Sequence, residues 1–127
     1  MHTDEGGVDR ITEPVIGGAF QVLNTLGVGF LEMVYENASV HELRKRALDV
    51  VQQHGVTDTY DGVVVGAYNV GVLVEGSLIV GLKAVQAPDD AHAAQCFNYP
   101  KATGLRFCLL LNFGRSWLEI QRIAHGF

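Results

Sequence analysis

From Ile11 the apolar positions Ile11, Val15, Ile16, Ala19, Phe20, Leu23 and Leu26 recur with the period of a helix. Thr12 is placed to cap that helix, and Pro14 falls in its first turn, where a missing N–H costs little. The polar, glycine-containing stretch 1–10 ahead of it reads as a flexible N-terminal segment. Gly27-Val28-Gly29 breaks the pattern, and a second helix follows with Leu31, Val34, Tyr35, Ala38 and Leu43 on one side. It closes on Arg44-Lys45-Arg46, where cations complement the helix dipole; a solvated helix end accounts for that triplet.

Near residue 50 the texture changes to β-branched residues punctuated by turns. Asp61-Gly62 between 56–60 and 63–68 is a hairpin signal. Residues 70–75 and 78–85 read as two further strands around Gly76-Ser77. Pro88-Asp89-Asp90 then introduces a helix over 91–99. The nearly continuous apolar run 105–113 suits a strand buried on both faces, and 117–123 alternates as a last strand. This order predicts an α/β fold: a single domain, 11–127, with a mixed central sheet flanked by helices.

Composition narrows the function classes. With 127 residues, 48% of them hydrophobic, the chain can build one core without metal or disulfides. The formal net charge of −5 gives no global basic field to recruit nucleic acid, although a local basic patch stays possible. Cys96 and Cys108 sit in apolar sequence and read as reduced, buried thiols. No His/Cys cluster has zinc spacing. Neither a signal-peptide pattern nor an apolar run long enough to span a membrane is present, so the expected location is cytoplasmic.

Several segments carry chemistry. Gly29, Glu32 and Tyr35 form a G-x-x-E-x-x-Y motif, followed by Glu36-Asn37 and His41-Glu42-Leu43-Arg44. Further on stand Tyr60-Asp61-Gly62, Leu82-Lys83-Ala84, His92…Gln95…Asn98-Tyr99, Ala102-Thr103-Gly104 and Leu111-Asn112-Phe113-Gly114. In this order and spacing, over residues 11–123, they resemble the GxxExxY family, small proteins with a PD-(D/E)XK (restriction-endonuclease-like) core. That resemblance implies an acid on one strand and E-x-K on the next, around Mg²⁺. Two carboxylates hold and neutralise such an ion, and the metal acidifies a water for attack on a phosphate. The lysine, two residues after the second acid, shares its strand face.

The chain departs from the pattern at both acids. Gly71 stands at the aspartate position and Gly81 at the glutamate of E-x-K, while Lys83 remains. Each change is one base from an acid codon. The resemblance marks Lys83, Glu32 and Gln95 as a remnant catalytic site, with Gly71 and Gly81 as degenerate acid positions. A lysine among Val80, Leu82, Ala84 and Val85 is costly unless its ammonium finds water or a partner, and Glu32 is the leading substitute partner. His92 reads as a helix-surface residue, and Glu75 lies too far along its strand to replace a lost acid. Pro100 should end its helix. Trp117, on the last strand, is either a packing residue or an interface residue.

The favoured function is a catalytically degenerate nuclease-like protein acting through binding or assembly, with no cofactor because the Mg²⁺ site is lost. The expected partner is a second copy or another protein; nucleic acid is not favoured by the net charge, and no membrane is involved. The alternatives are a metal-dependent nuclease whose acids come from elsewhere, and a purely structural homo-oligomer. Restoring both acids, by Gly71→Asp with Gly81→Glu, should recreate a metal site.

Overall fold

A computed structural model describes residues 3–86 and 107–124. Two helices, α1 (Thr3–Leu26) and α2 (Glu32–Lys45), precede strands β1 (Val50–Tyr60), β2 (Val63–Val74), β3 (Leu78–Lys83), β4 (Phe107–Asn112) and β5 (Glu119–Ala124). The strands form one sheet in the order β1-β2-β3-β4-β5. All neighbours are antiparallel except β3 and β4, which run parallel from Leu78↔Phe107 to Lys83↔Asn112. The architecture is thus α/β with a mixed sheet, as expected. The helix expected over 91–99, with His92, Gln95 and Pro100, lies outside the described residues.

Alternation along the strands divides the core in two. Leu78, Val80 and Leu82 of β3, with Leu109 and Leu111 of β4, pack against Val15 and Leu23 of α1 and Tyr35 and Leu43 of α2. Ile79, Cys108, Leu110, Ile123 and Val56 form a second cluster on the other face. Burial on both faces explains why β4 reads as an unbroken apolar run.

Four local expectations are corrected. α1 begins at Thr3, not near Ile11, so Thr12 is buried mid-helix rather than capping, and Pro14 lies inside the helix. Thr3-Asp4-Glu5 offers a competing start, with acids that suit a helix N-terminus. In α2 the buried face is Tyr35, Glu36, Ser39, Val40 and Leu43; Leu31 occupies the N-cap and is 79% exposed. β2 is one twelve-residue strand rather than two, because the hairpin continues through Val70 without a turn. Cys108 is disulfide-bonded, so it is not the reduced thiol expected; the other cysteine, Cys96, lies outside the described residues.

The turn Asp61-Gly62 has φ of 54° and 75°, the left-handed pair of a tight hairpin, as its sequence signals. The connection between α1 and α2 is held by Tyr35. Its hydroxyl donates to Gly27 O at 2.6 Å and accepts from Phe30 N at 3.2 Å, while Gly29 adopts φ +103°. The ring is fully buried and stacks on Phe113 at 4.9 Å, with Phe30 edge-on at 6.1 Å. The glycine and tyrosine of G-x-x-E-x-x-Y therefore shape the entry to α2. Tyr35→Phe keeps the stack and loses both hydroxyl bonds; urea unfolding should show a loss of about 1–2 kcal/mol, against about 3–5 kcal/mol for Tyr35→Ala.

Candidate functional site

Two features fix the end of the sheet where the site residues gather. Phe113 N donates to Lys83 O at 2.8 Å, which carries the parallel β3–β4 pairing one step beyond the strands. Buried Asn112 then clamps the exit of β3. Its Oδ1 accepts from Val85 N at 3.0 Å and Gly114 N at 3.1 Å, and its Nδ2 donates to Val85 O at 2.8 Å and Glu119 Oε1 at 2.7 Å. Val85 lies so close that a Cβ on Gly114 would stand 2.1 Å from its carbonyl oxygen. The Leu111-Asn112-Phe113-Gly114 segment is thus a lock on the strand that carries Lys83.

Gly71 and Gly81 lie on adjacent strands, β2 and β3, but the ladder between those strands ends at Val72↔Val80. Gly71 also has no partner on β1, where Gln52 pairs with Val72 and His54 with Val70. Opposite it, Gln53 takes φ +58°, in the left-handed region. This kink suspends the alternation of a regular strand, in which consecutive side chains point to opposite faces. Gln52 and Gln53 both reach the same atom, donating to Glu36 Oε2 at 2.9 Å and 2.6 Å. Gln52 also donates to Asn37 Oδ1 at 2.6 Å. Glu36 is buried in the first turns of α2, and a buried carboxylate is tolerable only when hydrogen-bonded in this way.

The other oxygen of Glu36 faces Gly71. A Cβ built on Gly71 would lie 3.6 Å from Glu36 Oε1 and 2.8 Å from Val80 O. The space beside Gly71 is therefore neither open nor neutral ground: a backbone carbonyl closes on it and a carboxylate stands behind. Glu36, Gln52 and Gln53 were not singled out as site residues from the sequence. Two consecutive glutamines entering a β-branched strand were the available signal.

Lys83 is half-buried at the end of β3. Leu78, Val80 and Leu82 face the helices and Ile79 faces the other way, so alternation puts Gly81 and Lys83 on the Ile79 face. Glu32 is exposed at the first position of α2, on the helix side. No ion pair joins Glu32 to Lys83, so the partnership expected between them is not made, and Lys83 has no side-chain partner among the described residues. Gln95 lies outside those residues. Trp117 precedes β5 rather than lying on it; it is 56% exposed, with the Arg115 guanidinium 5.2 Å from its ring centre. The basic triplet is a solvated helix end: Arg46 and Lys45 pair with Glu42 at 3.1 Å and 3.4 Å, and Arg44 donates to Val50 O at 2.9 Å. The hydrogen bond from Arg46, with help from Lys45, holds the Glu42 carboxyl below its ordinary range.

A mixed sheet with two helices on one face, and Gly71 and Gly81 on neighbouring strands with Lys83 at a strand end, agrees with the family comparison. A family model of the PD-(D/E)XK nuclease superfamily matches residues 9–123. The chain belongs to the PD-(D/E)XK nuclease superfamily. Comparison with curated proteins and with solved structures found no match. The divalent cation that this superfamily implies does not fit the described residues. Mg²⁺ takes hard oxygen ligands in near-octahedral geometry, and carboxylates must offset its charge. Gly71 and Gly81 offer no side chain, one oxygen of Glu36 is committed to two amides, and no group of three His, Cys, Asp or Glu is gathered among the described residues. Among those residues, no helix is long and apolar enough to cross a membrane.

The contact with Val80 O decides the sign of a substitution at Gly71. Alanine in a strand interior normally gains about 0.5–1 kcal/mol over glycine. Here the new methyl meets backbone, and overpacking of that kind costs about 1–3 kcal/mol. Thermal unfolding of Gly71→Ala should show a net loss of stability. The same contact opposes the gain in strand stability expected from Gly71→Asp.

Proposed function

We propose that this chain is a catalytically degenerate nuclease-like protein of the GxxExxY type that acts through binding or assembly. The observation that carries it is the state of the Gly71 position: a carbonyl occupies the direction a side chain would take, and the nearest carboxylate is tied down by Gln52 and Gln53. Lys83 makes no ion pair with a described carboxylate: Glu119, which shares its sheet face through the register Lys83↔Asn112↔Glu119, is held by Asn112 and Arg115 instead. The formal net charge of −5 adds no general attraction for a nucleic-acid backbone.

A second reading, a metal-dependent nuclease with acids supplied elsewhere, is favoured by one detail. Glu36 Oε1 lies 3.6 Å from where a Cβ of Gly71 would stand, so a carboxylate already borders the vacated position. The two readings differ in measurable ways. Under the first, calorimetry detects no Mg²⁺ or Mn²⁺ binding, and neither DNA nor RNA is cut on adding metal. A Cβ on Gly71 turns toward Glu36 on the helix side while Gly81 shares the Ile79 face, so the pair Gly71→Asp with Gly81→Glu should not gain the shared metal site that the family pattern implies. Metal-dependent cleavage by the unmodified chain, lost in both Lys83→Ala and Glu36→Gln, would establish the second reading instead.

A further inference from the structure

We propose that Met33 is a reversible oxidation site, and that its sulfoxide loosens the hold of β1 on the buried carboxylate of Glu36. Met33 is the second residue of α2, so Glu36 and Asn37 stand three and four positions further on, along the same helix face. All three converge on one group of β1. The side-chain amide nitrogen of Gln52 donates to Glu36 Oε2 at 2.9 Å and to Asn37 Oδ1 at 2.6 Å, and it also faces Met33 Sδ at 4.0 Å.

A side-chain amide has two hydrogens, and three acceptors compete for them here. A thioether sulfur is a weak acceptor, so the two oxygens hold the shorter bonds and Met33 takes the least share. Oxidation reverses that ranking. It converts the thioether into a polar sulfoxide, whose oxygen projects from Sδ into hydrogen-bonding reach of the Gln52 amide.

Access to the sulfur is open, since Met33 is 49% exposed. The oxidant is a small hydroperoxide, with hydrogen peroxide as the simplest. The sulfur lone pair attacks one peroxide oxygen, and the S–O bond forms as the O–O bond breaks. The proton of the transferred hydroxyl passes to the departing hydroxide, which leaves as water. Sulfur loses two electrons and the peroxide gains them. Methionine sulfoxide reductases restore the thioether.

The consequence lies beneath the surface. Glu36 is 4% exposed, and its Oε2 also accepts from Gln53 at 2.6 Å. When Gln52 turns to the sulfoxide, that oxygen keeps Gln53 and loses its other amide donor. A buried carboxylate with fewer donors is less stable. Through Oε1 the same carboxylate borders Gly71, so oxidation at the start of α2 is felt where β1 and β2 are irregular. This inference is independent of the metal reading, since it requires no cation.

Dilute hydrogen peroxide added to the folded full chain should place one oxygen on Met33, as read by peptide mass spectrometry. The side-chain amide resonances of Gln52 should then move and the thermal midpoint should fall. Treatment with the two methionine sulfoxide reductases should return both to their starting values. Met33→Leu, which conserves volume, should fold and show neither change under peroxide. Met1 is the other methionine of the chain, so this variant also accounts for oxidation there. Met33 that stays unoxidised in the folded protein under peroxide that oxidises it in urea overturns the proposal. So does an oxidised chain whose Gln52 resonances stay in place, or whose thermal midpoint does not fall. A Met33→Leu variant that responds to peroxide as the unmodified chain does overturns it as well. Should that variant fail to fold, the reductase step decides: resonances and midpoint that do not return with the thioether overturn the proposal.

Discussion

The stack of Tyr35 on Phe113 is the contact on which the site end of this molecule depends. Both rings are fully buried, 4.9 Å apart, and each belongs to a different lock. Through its hydroxyl, Tyr35 holds the turn that leads into α2, and so sets where Glu32 and Glu36 begin their helix. Phe113 continues the pairing with β3 at Lys83 O, directly after Asn112 has fastened Val85. One aromatic contact thus ties the N-terminus of α2 to the strand end that carries Lys83. Aromatic pairs add roughly 0.5–1.5 kcal/mol beyond the area they bury. The larger effect is positional, since both partners are themselves tied to the backbone.

Against that rigid frame, the region of Gly71 is irregular. The left-handed Gln53, the unpaired Gly71 and the buried Glu36 are one arrangement rather than three anomalies. A buried carboxylate needs donors. A regular strand offers one side chain in two to any given face. The kink at Gln53 brings the next side chain round as well, at a backbone cost of order 1–3 kcal/mol, which two hydrogen bonds to a charged acceptor offset.

Much of this was legible in the sequence. The hairpin at Asp61-Gly62, the parallel-type apolar run of β4 and the neighbouring placement of Gly71 and Gly81 follow from turn chemistry, two-face burial and strand order. What was not legible depends on local conformation or on competition. The pairing of Glu32 with Lys83 assumed a shared cleft, whereas alternation along β3 sends Lys83 to the face away from α2. Leu31 and Val34 fit a helical period, yet the helix turns Tyr35, Glu36 and Ser39 inward because Tyr35 has a ring to stack on. The role of Glu36 needed the φ of Gln53, which no period in the sequence encodes. Thr12 fits a cap only for a helix that starts beside it, whereas α1 already runs from Thr3.

The crowding at Gly71 and the end of the β2–β3 ladder share one origin. Gly71 is where β2 parts from β3: the ladder holds through Val72 and stops. β3 meanwhile pairs in parallel with β4 along its whole length, from Leu78↔Phe107 to Lys83↔Asn112. Among the described residues β2 continues to pair with β1 as far as the hairpin. A side chain at residue 71 would press on Val80 O and hold the two strands apart at the point of divergence. With glycine there, the carbonyl of Val80 stands where a side chain would go. The length of β2 past that point is unaffected, since it is set by pairing with β1.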